Sequence, residues 1–205
     1  MLWCRDRQGL RGIAWGCAMG RKVFVFDMHR CTGCRCCQVA CKERHDLPVG
    51  VLYRRVHDFE GGQFPAVWAA SLSAGCNHCD DPQCAKNCPV SAPKKDLETG
   101  LVVQDESMCI GCGKCIASCP YGAPVYNPVD DTVRKCDGCI ALVEAGERPV
   151  CVAACSTRAL MFMDIEEMEG LDSCANLTRD LSCLPSSDLT NPGTYILPKD
   201  EMRAS

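Results

Sequence analysis

The sequence predicts an α+β fold, loop-rich with short strands and helices, divided into two modules rather than gathered around one large apolar core. Three observations predict it. Sixteen of the 21 cysteines fall into four tight groups of four. A strand, a cysteine loop and a helix recur in that order at two places. Long apolar stretches are absent: 47% of residues are hydrophobic, but aromatics are only 6%, and cysteine supplies about a fifth of the hydrophobic count. The interior must therefore be filled partly by whatever the cysteines hold.

Lys22 to Asp27 carries a Val-Phe-Val-Phe centre that favours a strand leading straight into Cys31. Cys36 to Arg44 continues from that cysteine loop as a helix. Leu101 to Gln104 repeats the strand ahead of Cys109, and Lys114 to Ser118 repeats the helix behind it. Ile140 to Ala145 predicts a further helix and Ala159 to Asp164 a further strand. Gly61-Gly62, Pro65, Pro82, Pro93, Gly100 and Pro128 punctuate the chain between cysteine groups into short pieces joined by turns.

The groups are Cys31, Cys34, Cys37 and Cys41; Cys76, Cys79, Cys84 and Cys88; Cys109, Cys112, Cys115 and Cys119; and Cys136, Cys139, Cys151 and Cys155. The first and third read C-x2-C-x2-C-x3-C, the bacterial ferredoxin run, in which the fourth cysteine ligates the other of two clusters. Three cysteines two residues apart let one loop wrap three corners of a cubane. The longer last step moves the fourth onto a helical turn, pointing at a neighbour. A cubane held by four thiolates has no open coordination site, so outer-sphere electron transfer is the chemistry it offers. No pairing of nucleophile and base is evident around His45, His57 or His78. His78, between Cys76 and Cys79, is expected to donate a hydrogen bond or shape its loop rather than bind iron.

C-x2-C pairs also nucleate zinc sites, but zinc usually draws two pairs across a longer spacer, which these runs lack. An odd cysteine total and four groups of four also argue against a disulfide scaffold. The formal net charge is −4. Sixteen thiolates against four cubane cores of +2 lower it to about −12, which makes nucleic acid an unsuitable partner. His29, Arg30, Arg35, Lys42 and Arg44 surround the first group, where they either raise its potential or form a solvated face.

The crossing of fourth ligands allows two pairings of the groups. Groups two and three are separated by 20 residues and each ends in Cys-Pro, at Cys88-Pro89 and Cys119-Pro120, so they are paired here. Cluster 3 then takes Cys76, Cys79, Cys84 and Cys119, and cluster 4 takes Cys109, Cys112, Cys115 and Cys88. Cluster 1 takes Cys31, Cys34, Cys37 and Cys155, and cluster 2 takes Cys136, Cys139, Cys151 and Cys41. Residues 76–132 become a ferredoxin-like module inserted into an outer one made of 21–75 and 133–170, followed by an extended tail at 171–205.

The strings CTGCRCCQVACK, CNHCDDPQCAKNCP, CIGCGKCIASCPYGAPVYN, and KCDGC followed by CVAAC resemble the four-cluster iron-sulfur subunit of the dimethyl sulfoxide reductase family of molybdopterin oxidoreductases. The resemblance covers Lys22 to Asp164. SCPYGAPVYN with KCDGC after it leans towards the dimethyl sulfoxide reductase branch rather than the polysulfide, tetrathionate, nitrate or formate enzymes. The resemblance implies four 4Fe-4S clusters with the same crossed ligands, in a non-catalytic subunit. That subunit would relay electrons between a membrane anchor subunit binding quinol and a molybdopterin catalytic subunit, and sit peripherally on the cytoplasmic membrane through its partner, its clusters assembled in the cytoplasm. Ser156 stands where the family pattern has Pro, which is not a ligand. Some relatives lose a ligand of the third group and hold a 3Fe-4S cluster, whereas Cys109, Cys112, Cys115 and Cys119 are all present here. A free polyferredoxin shuttle, a cluster-carrying scaffold and a subunit of a formate dehydrogenase or polysulfide/tetrathionate-type enzyme are the alternatives.

Cys4, Cys17, Cys36, Cys174 and Cys183 are left over. Cys36 adjoins Cys37, and neighbouring side chains on a tight loop diverge, so it is expected to be a packed or exposed thiol. Residues 1–20 read as a disordered extension or a misassigned start, with Met19 as a candidate start. No stretch reaches the roughly 20 apolar residues of a membrane helix. Thr190 to Pro198 resembles the family's extended tail and is expected to strap along the surface or a partner.

Overall fold

The computed structural model describes residues 20–204. The expectations on Cys4, Cys17 and a start at Met19 lie outside the described residues. In chain order the elements are β1 (Lys22–Asp27), α1 (Cys36–Arg44), β2 (Arg55–Gln63), β3 (Ala66–Ala74), α2 (Gln83–Lys86), β4 (Pro93–Lys95) and β5 (Val102–Gln104). There follow α3 (Lys114–Ser118), β6 (Val125–Asn127), β7 (Thr132–Arg134), α4 (Ile140–Glu144), α5 (Val150–Ala153), β8 (Leu160–Asp164), α6 (Ile165–Glu169) and β9 (Thr194–Leu197). Short strands and helices joined by loops make an α+β fold.

The main sheet has the order β8-β1-β9. β1 runs antiparallel to β8, with Phe24 opposite Phe162, and parallel to β9, with Phe24 opposite Thr194. Val23, Phe24, Val25 and Phe26 are each only 1% exposed, because both faces of the strand are covered. Period-two alternation sends Phe24 and Phe26 into a core shared with Ala70, Leu72, Cys151 and Leu160. Val23 and Val25 go the other way, against Met168, Met161 and Tyr195.

β2 and β3 pair along their whole length, from Arg55 opposite Ala74 to Gln63 opposite Ala66, and lay Ala70 and Leu72 on the β1 core. Gly61-Gly62, expected as turn punctuation, lies inside β2. Gly61 faces Trp68 in the register, and a Cβ there would stand 2.7 Å from the indole, so the ring occupies the space a side chain would need. Pro93 likewise opens β4 instead of separating elements.

Two small antiparallel pairs, β4 with β5 and β6 with β7, flank the third cysteine group. Helix α1 packs on α5, and α2 packs on α3. The main sheet thus joins segments next to the first and fourth groups, while the second and third are joined locally. The C-terminal segment first lies over the second group, where Gly193 donates to the Asn77 carbonyl (2.7 Å) and Asp80 and Asp81 donate to Asn191 and Thr190. It then enters the main sheet as β9 with Ile196 buried, so the extended Thr190 to Pro198 segment is in part a core strand.

Candidate metal centres

Each C-x2-C loop turns through one left-handed residue just before its second cysteine: Gly33 (φ 68°), His78 (φ 45°), Gly111 (φ 66°) and Gly138 (φ 74°). Three of the four use glycine, which adopts this conformation without a Cβ penalty. The helices α1 and α3 are entered from a second such residue, Arg35 (φ 60°) and Gly113 (φ 71°). The pattern curls backbone around the side of the loop where the cysteines converge.

The thiols gather in four sets. Cys31 lies in the field of Cys37, Cys155 and Cys34. Cys41 lies in that of Cys151 and Cys139, and Cys136 in that of Cys41 and Cys151. Cys76, Cys79, Cys84 and Cys119 line one cavity with Pro82 and Thr190. Cys88, Cys109, Cys112 and Cys115 line another. In every set a sequence-distant cysteine stands with three from another group, so folding crosses the groups. Cys41, Cys76, Cys84, Cys115, Cys136, Cys139 and Cys151 are buried, whereas Cys34 and Cys112 are exposed.

Buried thiols resist ionisation. Burial pushes Cys41 and Cys84 up to about 12 and Cys79 and Cys139 up to about 11, and lifts Cys136 well above its ordinary value. So many buried thiols become thiolates only when a metal takes the proton's place. The backbone is ready for that charge: Ala92 donates to Cys88 Sγ (3.4 Å), Ala123 to Cys119 Sγ (3.5 Å), Gly138 to Cys136 Sγ (3.4 Å) and Leu160 to Cys155 Sγ (3.5 Å). His78 is buried, with its ring stacked on Phe24 at 5.9 Å between centroids. Its Nδ1 accepts from Val102 N–H (3.0 Å), which places the ring proton on Nε2, and this buried Nε2 has no partner among the described residues. Burial, with Lys135, Lys95 and Arg54 nearby, keeps the ring neutral. The cavity of the third set is lined instead by the neighbouring Asn77 and Cys79, with Val102 and Lys135.

The structure also shows residues that carried no sequence signal. Arg54 is buried, and the cysteines that act on its charge are Cys151, Cys136, Cys37 and Cys41. Burial opposes its charge, and these cysteines favour it in their thiolate form. By contrast, three of the basic residues around the first group are engaged at the surface, while half-buried Lys42 donates to the Leu47 and Pro48 carbonyls. Arg30 pairs with Asp27 (3.2 Å), Arg35 pairs with Asp58 (2.5 Å), and His29 bonds the Pro198 carbonyl (3.0 Å). Exposed pairs of this kind contribute little. His45 Nε2 stands 3.9 Å from Cys139 Sγ and 3.7 Å from Asp137. Cys36 is exposed beside Cys34, Cys183 is exposed, and Cys174 is half-buried.

A 4Fe-4S dicluster domain model matches residues 67–165, which contain the second, third and fourth groups. The B subunit of the anaerobic dimethyl sulfoxide reductase of Haemophilus influenzae is 39% identical over 191 residues, covering 89% of this sequence and 91% of the relative. The probable anaerobic dimethyl sulfoxide reductase subunit YnfG of Escherichia coli is 43% identical over 188 residues, 88% and 90% of the two sequences. The protein belongs to the iron-sulfur subunit family of anaerobic dimethyl sulfoxide reductases. Members of this family are electron-transfer rather than catalytic subunits, and they bind 4Fe-4S clusters. Protein NrfC of Escherichia coli is similar too, at 38% identity over 160 residues, 77% of this sequence and 69% of its own. Among the described residues no helix is long and apolar enough to cross a membrane.

Proposed function

We propose that this protein holds four 4Fe-4S clusters, one in each crossed set, and relays electrons between a quinol-binding membrane subunit and a molybdopterin catalytic subunit. Bound clusters supply one-electron outer-sphere transfer. The protein's own part is to hold them in line. The observation that carries the reading is the way three core clusters join consecutive sets. Cys31, Cys37 and Cys155 of the first set share a core with Cys151 of the second. Cys41 and Cys136 of the second share one with Cys76 and Cys119 of the third. Cys84 of the third shares one with Cys115 and Cys109 of the fourth. The order 1-2-3-4 runs through protein interior and ends at exposed Cys34 and exposed Cys112, which supports a relay with one contact at each end.

The outer module of 21–75 and 133–170 would hold the first two clusters and the inserted module of 76–132 the other two. The sixteen cysteines are the iron ligands in this reading. Attachment to the cytoplasmic membrane comes through the partner.

Iron and sulfide analysis with paramagnetic resonance tests it: about 16 irons per protein molecule are expected, and few irons with much zinc would refute it. Copurification with a molybdenum-containing subunit separates the relay from a free shuttle.

A further inference from the structure

Arg54 is only 4% exposed, yet it forms no ion pair with a carboxylate among the described residues. Its Nη1 donates to the Ser73 carbonyl (3.1 Å) and to Ser73 Oγ (3.2 Å), and its guanidinium lies 5.3 Å from the Phe24 ring centroid. Ser73 Oγ in turn stands 3.3 Å from Cys37 Sγ. Because that hydroxyl accepts from Arg54, its own proton is free for the sulfur. Cys41, Cys136 and Cys151 of the second set also act on its charge, with Cys37 of the first. A buried cation is strongly unfavourable unless it is paired. The acidic groups gathered around Arg54 are cysteine ligands from two sets.

We propose that Arg54 is the shared counter-charge of the first and second clusters, raising the potential of both and reaching the first through Ser73. This rests on the four-cluster reading. A positive charge near two sites that each gain an electron stabilises both reduced forms. Among the described residues Lys135 is the other buried cation. It donates to the carbonyls of Val102 and Cys136 and acts on Cys84, which places it at the second and third sets.

The test is a redox titration of the iron-loaded protein followed by paramagnetic resonance, with Arg54→Gln, Arg54→Lys and Ser73→Ala. In Arg54→Gln, two of four signals are expected to need lower potentials. Their reduced-to-oxidised ratio at a fixed potential falls about tenfold, which is about 59 mV for a one-electron couple. The other two signals hold. Arg54→Lys keeps the charge and stays near wild type, and Ser73→Ala moves one signal of the affected pair. Loss of iron from Arg54→Gln but not from Arg54→Lys also supports a counter-charge. Unmoved potentials in Arg54→Gln, equal movement of all four signals, or Arg54→Lys behaving like Arg54→Gln would overturn it. Failure of the cluster reading itself appears separately, as missing iron in the wild-type protein.

Discussion

Gly111→Ala and Gly113→Ala separate two effects that the third cysteine loop combines. Both residues have left-handed backbone, φ 66° and 71°. Adding a Cβ to such a residue costs about 1–2 kcal/mol from conformation alone. At Gly113 nothing lies within 4 Å of the added atom, so that is the whole cost. The first group supports this, since Arg35 occupies the matching position. At Gly111 the Cβ would stand 2.6 Å from the Asp131 carbonyl oxygen, a backbone atom in the turn between β6 and β7. Forcing that turn aside adds about 1–3 kcal/mol, for a total of about 2–5. In a protein of this size each kcal/mol lowers the melting midpoint by about 2–4 °C. Thermal melts of the iron-loaded variants by circular dichroism, with iron counted per molecule, are the assay. Gly113→Ala should keep its iron and lose a few degrees, whereas Gly111→Ala should lose about 1.5 to 4 times as many and release iron from the fourth set. Equal losses in the two variants, or a larger loss for Gly113→Ala, would refute the steric argument.

Crossed ligation predicts non-additive iron loss. Cys88→Ala with Cys115→Ala should release no more iron than either alone, while Cys88→Ala with Cys84→Ala should release two clusters' worth, and the reverse pattern would refute the pairing. Native alkylation read by mass spectrometry should label Cys36 and Cys183 rapidly but spare Cys34 and Cys112, although Cys34, Cys36, Cys112 and Cys183 are all exposed. Equal labelling of Cys34 and Cys36 would mean that Cys34 holds no iron. Chelating the iron should abolish native circular dichroism and cooperative melting, and persistence of both would rule out clusters as part of the core.

What the sequence by itself determined is local. The strand at Lys22–Asp27 and the helices Cys36–Arg44 and Lys114–Ser118 are legible because each follows from a few neighbouring residues: a β-branched and aromatic run, or a chain leaving a cysteine loop through a left-handed residue. The fourfold grouping of cysteines is legible for the same reason. Gly61-Gly62 misleads because its cause, the Trp68 ring, comes from the facing strand. Tertiary structure alone decided the rest. Pairing of β1 with β8 brings the first and fourth groups together from opposite ends of the motif region. β9 turns a tail into a core strand, and three separate cores set the order of the four cysteine sets. Arg54 shows the reason most plainly: beside Arg55 in sequence it is one of two adjacent arginines, and only long-range packing buries it near cysteines, with no carboxylate paired to it among the described residues.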